Sequence, residues 1–333
     1  MLREELKRTE EYIDCFFPEA RSLTRADKIV REMAATKGKR LRPMMLLYAG
    51  HFGDAYAQDD GPIQDKLCKL AACVELIHTT SLIHDDIVDD SVIRRGKATI
   101  QSKFGKDMAV YAGDLLFGRI LEVLAAEGLM AEARLIGQTV QKMCRGEIGQ
   151  YDCRFKADTP VATYLQNIYG KTVSLFVLAA ELGAKTGGCD EKTATLLTQI
   201  AEHVGYMFQM RDDLLDFTKE ARVTGKERFL DFKDGILTLP VLYALETTAQ
   251  RKTLKALVGD VREGTFTQES EQALLETVRN GGGLTRTVEV MQKEIDCAME
   301  AFYALPECKA KEAFTKMLDR MQAAVSEATK EVA

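Results

Sequence analysis

The chain has 333 residues, of which 46% are apolar and 29% charged, with a formal net charge of −6. That length and apolar fraction suffice for one large domain or two ordinary ones with a sizeable core. The negative charge, with no basic arm or aromatic-basic stripe, argues against a general nucleic-acid binder, and no apolar run is long enough to span a bilayer.

The chain begins Met1-Leu2-Arg3-Glu4-Glu5-Leu6. This is charged and amphipathic with no apolar signal region, so secretion is not expected. The 8 cysteines form no Cys-x-x-Cys pair and no zinc-like spacing with histidine. They are expected to be reduced, mostly buried thiols in a cytoplasmic protein. Gly38-Lys39-Arg40-Leu41-Arg42-Pro43 then places three cations just before an apolar helix. Apolar residues recur at spacings of three and four over 65–94, 107–127, 131–150, 161–185, 191–217, 236–248 and 284–303, which predicts helices. Strand alternation with hairpin turn signals is not evident. Gly187-Gly188 and Gly281-Gly282-Gly283 read as connectors, with Asp190 the N-cap of the helix after the first. The expected fold is all-α: one domain over 1–333, a bundle of long helices packed around a core.

Two carboxylate clusters interrupt the apolar pattern. Asp85-Asp86-Ile87-Val88-Asp89 and Asp212-Asp213-Leu214-Leu215-Asp216 share the form Asp-Asp-x-x-Asp. The outer aspartates of each are one helical turn apart and project from one face. Hard oxygen ligands at this density suit Mg²⁺, which binds through a few carboxylates plus substrate phosphates. At 100° per residue, Val74, His78, Ser81 and Asp89 fall within about 40° of Asp85. The face therefore passes from charged to small to apolar, as in a cavity with a metal at its mouth and an apolar floor.

Further cations follow. Arg94-Arg95-Gly96 comes soon after the first cluster, and Gly170-Lys171-Thr172 reads as the opening of a helix. Gly-Lys-Thr here lacks the upstream glycine and preceding strand of a P-loop, so nucleotide binding is not expected. Arg and Lys at these positions suffice for two diphosphates, one held by Mg²⁺ and cations, the other by cations alone. The basic segment 218–238 suits either a phosphate-closing lid or a solvated connection.

Taken in order, the segment 38–43, Glu75 to Asp89, Arg94-Arg95-Gly96, Gly113-Asp114, Gly146-Glu147 with Gln150, Gly170-Lys171-Thr172, Phe208-Gln209, Asp212 to Asp216 and Thr238-Leu239-Pro240 resemble the trans-isoprenyl diphosphate synthases. The resemblance runs from about residue 25 to about residue 305. It implies an all-helical, usually homodimeric enzyme with a deep central cavity that condenses isopentenyl diphosphate onto an allylic diphosphate, with about three Mg²⁺ per site. By resemblance, Asp85, Asp89, Asp212 and Asp216 serve the metal. Gly38, Lys39, Arg42, His78 and Arg95 hold isopentenyl diphosphate. Arg94, Lys171, Thr172, Gln209 and Lys226 hold the allylic diphosphate. Asp85, Asp89, Asp212 and Lys171 carry the catalysis.

The segment after the second motif departs from the family pattern, and the C-terminal Glu331-Val332-Ala333 lacks the terminal arginine of some relatives. Phe229 stands where the family often has glycine. Ile236 stands where the family has a diphosphate-binding lysine, and Lys233 is the nearest cation that would substitute for it. Ser81 and Thr80 are small, with Ile77 and Val74 below them and Phe117 as a facing wall. The expected product is therefore an all-trans polyprenyl diphosphate of twenty carbons or longer, released at a membrane. Three alternatives stay open: a short-chain farnesyl or geranylgeranyl synthase, a terpene cyclase of similar fold, and a non-catalytic partner subunit. The cyclase leaves Lys39, Arg42 and Arg95 without a role, and both intact aspartate motifs oppose the non-catalytic subunit.

Overall fold

The computed structural model describes residues 2–17, 24–34, 38–59, 61–94, 96–218 and 228–332. Arg95 and Lys226, both expected at diphosphates, lie outside the described residues. The chain forms two compact units: Met1–Gln138 with Leu178–Thr198, and Thr139–Val177 with Gln199–Ala333.

The first unit contains α1 (Leu2–Cys15), α2 (Arg25–Ala34), α3 (Leu41–Gly50), the short α4 (Asp54–Ala57), α5 (Pro62–Val88), α6 (Ile100–Phe104) and α7 (Lys106–Ala126). α5 is its axis. Gly61 and Pro62 start it, because proline at the first helical position gives up only an N–H that has no partner there. Leu67, Cys68 and every residue from Leu70 to Ile77 are buried, since α1, α3 and α7 all pack on α5. A helix covered on all sides needs no polar face, which is why its pattern is weakly amphipathic.

α8 (Met130–Asp152), α10 (Ser174–Gly187) and α11 (Glu191–Leu215) each contribute residues to both units. The second unit adds α9 (Val161–Ile168), a π-helical turn (Tyr169–Val173), α12 (Leu230–Lys233), α13 (Leu239–Glu246), α14 (Thr248–Glu263), α15 (Gln268–Asn280), α16 (Gly283–Tyr303) and α17 (Lys309–Val332). Leu239 through Leu245 of α13 are all buried beneath α14, α15 and α16. α16 buries Leu284, Thr287, Val288, Met291, Ile295 and Ala298, the one-sided stripe of an amphipathic helix.

The cysteines are not mostly buried: only Cys68 and Cys73, both on α5, are. Several sequence boundaries shift. The 65–94 stretch ends its helix at Val88, and Ile93–Arg94 pairs antiparallel with Lys97–Ala98 around Gly96, at φ 74°. This small hairpin escapes the alternation test because each strand has two residues. Gly170-Lys171-Thr172 does not open a helix. It forms the π turn between α9 and α10, within what reads as one continuous pattern. The 236–248 stretch resolves into α13 and the start of α14. The Asp190 cap is present: its carboxylate accepts from the Thr193 N–H at 2.7 Å. Among the described residues, no helix is long and apolar enough to cross a membrane.

Candidate active site

The first aspartate motif closes α5. Asp85 is half-buried in the last turn, and Asp89 is the exposed C-cap, its N–H donating to the Asp85 carbonyl at 2.9 Å. Carboxylates at the negative end of a helix are disfavoured unless a cation joins them. The middle aspartate is different. Asp86 is buried, and Arg94 Nε donates to its Oδ1 at 2.5 Å. Burial pushes the Asp86 carboxyl up, while Arg94 pulls it down. Arg94, expected at the allylic diphosphate, is thus also the counter-ion that lets Asp86 be buried, and it ties the hairpin to the motif.

About one turn down α5 from Asp85, the hydroxyls are satisfied within the helix. Thr80 Oγ1 donates to the Leu76 carbonyl at 3.0 Å, and Ser81 Oγ to the His78 carbonyl at 2.9 Å. Back-bonding of this kind leaves a surface that is small and needs no polar partner. Thr80, Ile77 and Val74 are buried, and Ser81, His78 and Phe117 are half-buried. The basic segment before α3 divides its cations. Arg40 takes a left-handed conformation (φ 52°) and pairs with buried Glu75 of α5 and with Glu10 of α1. Glu75 is one turn from His78, so this pair fixes the segment that carries Gly38, exposed Lys39 and buried Arg42 against α5. Sequence reasoning grouped Arg40 with the ligand-binding cations; only its partners mark it as structural.

In the second unit, Lys171 is at the centre of the π turn. Its Nζ donates to Glu147 Oε2 at 3.0 Å and Gln150 Oε1 at 2.9 Å. α8 meets this turn at two glycines: a Cβ on Gly146 would lie 2.4 Å from the Lys171 nitrogen, and one on Gly170 would lie 2.5 Å from the Lys142 carbonyl oxygen. Thr172 Oγ1 donates to Gln209 Oε1 at 2.6 Å, and Gln209 Nε2 donates to Asp213 Oδ1 at 3.0 Å. Asp213 also accepts from the Tyr164 hydroxyl and the Leu239 N–H. Burial pushes Asp213 up to about 6 against these donors. Tyr164 was not visible as a functional residue, because a buried aromatic at helical spacing reads as core.

The outer aspartates of this motif are Asp212, exposed on α11, and Asp216, one residue past its end. The expected helix to 217 therefore stops at Leu215, and the last aspartate again follows a helix terminus. Burial, then the nearby Asp231, pushes Asp216 up to about 7, against N–H donation from Phe229 and Leu230. Its buried Oδ2 has no hydrogen-bond partner. A carboxylate in that condition fits a divalent cation, which would supply the missing partner and restore the ionised form. No three His, Cys, Asp or Glu side chains converge as a protein-only cage among the described residues.

Ile236 lines a small cavity with Gln150, the partner of Lys171. Lys233, the substitute cation considered from sequence, forms a 2.8 Å ion pair with Glu271.

Residues 24–277 match the family described as polyprenyl synthetase. Heptaprenyl diphosphate synthase component 2 of Geobacillus stearothermophilus is 35% identical over 269 residues, covering 81% of this chain and 80% of the relative. A decaprenyl diphosphate synthase structure from Rhodobacter capsulatus aligns with TM-score 0.86 at 29% identity, covering 98% of this chain and 97% of that one. A polyprenyl synthase from Caulobacter crescentus CB15, solved with calcium and isoprenyl diphosphate, aligns with TM-score 0.84 at 28% identity over 97% of this chain and 95% of that one. With the all-α fold and both aspartate motifs in place, the chain belongs to the polyprenyl synthetase family, the trans-prenyl diphosphate synthases, and is a transferase.

Proposed function

We propose that the chain is one catalytic domain that uses Mg²⁺, about three ions per site, to condense isopentenyl diphosphate with an allylic diphosphate into a long all-trans polyprenyl diphosphate. The observation that carries this reading is the hydrogen-bonded chain Thr172–Gln209–Asp213, which joins two expected allylic-diphosphate ligands to the second aspartate motif. Asp85, Asp89, Asp212 and Asp216 hold the metal, which when bound neutralises charge on the leaving diphosphate.

The protein's own groups do the rest. Lys171, oriented by Glu147 and Gln150, directs an ammonium at the allylic diphosphate, with Thr172, Gln209, Arg94 and Lys226 as further contacts. Fixed cations act where charge develops, so they lower the barrier to breaking the allylic C–O bond. Gly38, Lys39, Arg42, His78 and Arg95 hold isopentenyl diphosphate, whose double bond attacks the allylic carbon. A proton then leaves, and the departing diphosphate is the base the reaction itself provides. Val74, Ile77, Thr80 and Ser81 give the growing chain an apolar, water-free wall.

Relatives named for heptaprenyl and decaprenyl products support a long chain. Purified protein with Mg²⁺, labelled isopentenyl diphosphate and a panel of allylic primers tests the reaction; no product from any primer overturns it. Ser81→Phe is expected to shorten the product by at least one five-carbon unit on chromatography, because a ring at that site cannot be packed around. An unchanged product length removes the cavity-floor reading.

A homodimer in the cytoplasm, delivering its product to a membrane, is the assembly we favour. A second reading has one specific support: relatives named as "component 2" imply a partner chain in those proteins. Activity that appears only on adding a second, different subunit would establish it.

A further inference from the structure

We propose that α14 carries a second anion site, separate from both aspartate motifs, that takes a small phosphorylated ligand with a short apolar part. Lys255, Val258, Gly259 and Arg262 follow one another at helical spacing along one line of α14. The segment after α8 faces them with Phe155, Lys156 and Pro160, and the two enclose a groove of about 680 Å³. That volume lies within the range of small-ligand pockets, roughly 300–1,000 Å³.

The lining is unbalanced in charge. Lys156, Lys255 and Arg262 face a single carboxylate, Asp158. Lys255 pairs with Asp158 at 2.8 Å. Among the described residues, the Lys156 ammonium and the Arg262 guanidinium have no hydrogen-bonded or ionic partner. Two uncompensated cations in a concave setting concentrate positive potential, and a guanidinium fork matches phosphate oxygens. Phe155, Pro160 and Val258 supply the apolar wall beside them.

This wall is held in shape. Phe155 adopts φ 59°, a conformation costly for a residue other than glycine and retained where the surroundings enforce it. Its N–H donates to the Gly235 carbonyl at 2.7 Å, and its ring lies where a Cβ on Gly235 would be. Arg154 Nε donates to the Asp234 carbonyl. The groove therefore adjoins the segment in which Ile236 replaces the family lysine, and Cys153 and Thr159 line both the groove and the small cavity beside Ile236.

Calorimetric titration of the full chain in EDTA, with inorganic diphosphate and with geranyl diphosphate in separate arms, tests the site without turnover. Two binding sites per chain are expected. Lys255→Glu with Arg262→Glu should weaken one of them at least about tenfold, since each removes a charged hydrogen bond, and leave the other intact. Lys39→Ala with Arg42→Ala should do the reverse. Gly259→Leu should abolish the groove site without unfolding the protein, because a Cβ there meets nothing within 4 Å. Asp158→Asn should tighten binding. Geranyl diphosphate should bind the groove about tenfold tighter than diphosphate through its apolar part. A single site per chain, indifferent to the Lys255 and Arg262 changes, overturns the proposal, and equal affinity for the two ligands overturns the amphipathic assignment. Two sites that both survive loss of Lys39 and Arg42 would instead count against the isopentenyl diphosphate assignment.

Discussion

In the first aspartate motif the middle carboxylate, Asp86, is buried against one guanidinium, Arg94; in the second, Asp213 is buried with neutral donors from Tyr164, Gln209 and the Leu239 backbone. Both are about 1% exposed, so each needs its partners to avoid a desolvated, unpaired charge. The outer aspartates, Asp85, Asp89, Asp212 and Asp216, are more exposed in both copies and are the positions we propose for the metal. Each motif also ends one residue past its helix, with Asp89 after Val88 and Asp216 after Leu215. The same spelling thus buries its middle carboxylate by two different means. In the first copy the repulsion on Asp86 comes from Asp89 within the motif, whereas in the second Asp231, outside the motif, acts on Asp216.

The largest effect expected is on the outer positions. Asp85→Asn and Asp212→Asn should each lower turnover about a thousandfold, the scale of lost transition-state charge stabilisation, with little change in thermal midpoint. Near-normal incorporation of labelled isopentenyl diphosphate by either variant would remove it from the metal site. The middle positions should behave oppositely. Arg94→Ala leaves a buried carboxylate unpaired and should cost about 3 kcal/mol in urea unfolding. Tyr164→Phe removes one neutral donor among three and should cost about 1–2 kcal/mol. If the order is reversed, the ionic and neutral solutions are not distinct.

The smallest effect lies on α11 outside the motif. His203 Nδ1 is 2.7 Å from Glu294 Oε2, and that contact, against partial burial, raises the histidine above its ordinary value. A raised folded value means the pair's contribution is complete below about pH 6.5. It is lost as pH rises through the folded value. Unfolding free energy should fall by less than about 1 kcal/mol over that window, and His203→Gln should flatten the fall. A fall that persists in the variant would assign it to the motif carboxylates instead.

Much of the site was legible because its chemistry constrains residue type as well as spacing. Paired aspartates one turn apart and cations clustered near glycine suit little besides metal and phosphate binding once they recur in one chain. Arg40 and Arg94 were legible as cations but not as structural ones, since a charge pattern does not say which carboxylate it will meet. Tyr164 and the π turn at Lys171 left no readable signal: one is a core-spaced aromatic, and the other keeps the apolar period of a helix.

By itself, the sequence determined the helical class and the family, because periodicity and the spacing within each motif are local properties of the chain. Tertiary structure alone decided which aspartates are buried, that Glu75 would take Arg40, and that Phe155 would close on Gly235. Those outcomes depend on what packs from distant segments, and burial rather than spacing sets the free energy of a charge.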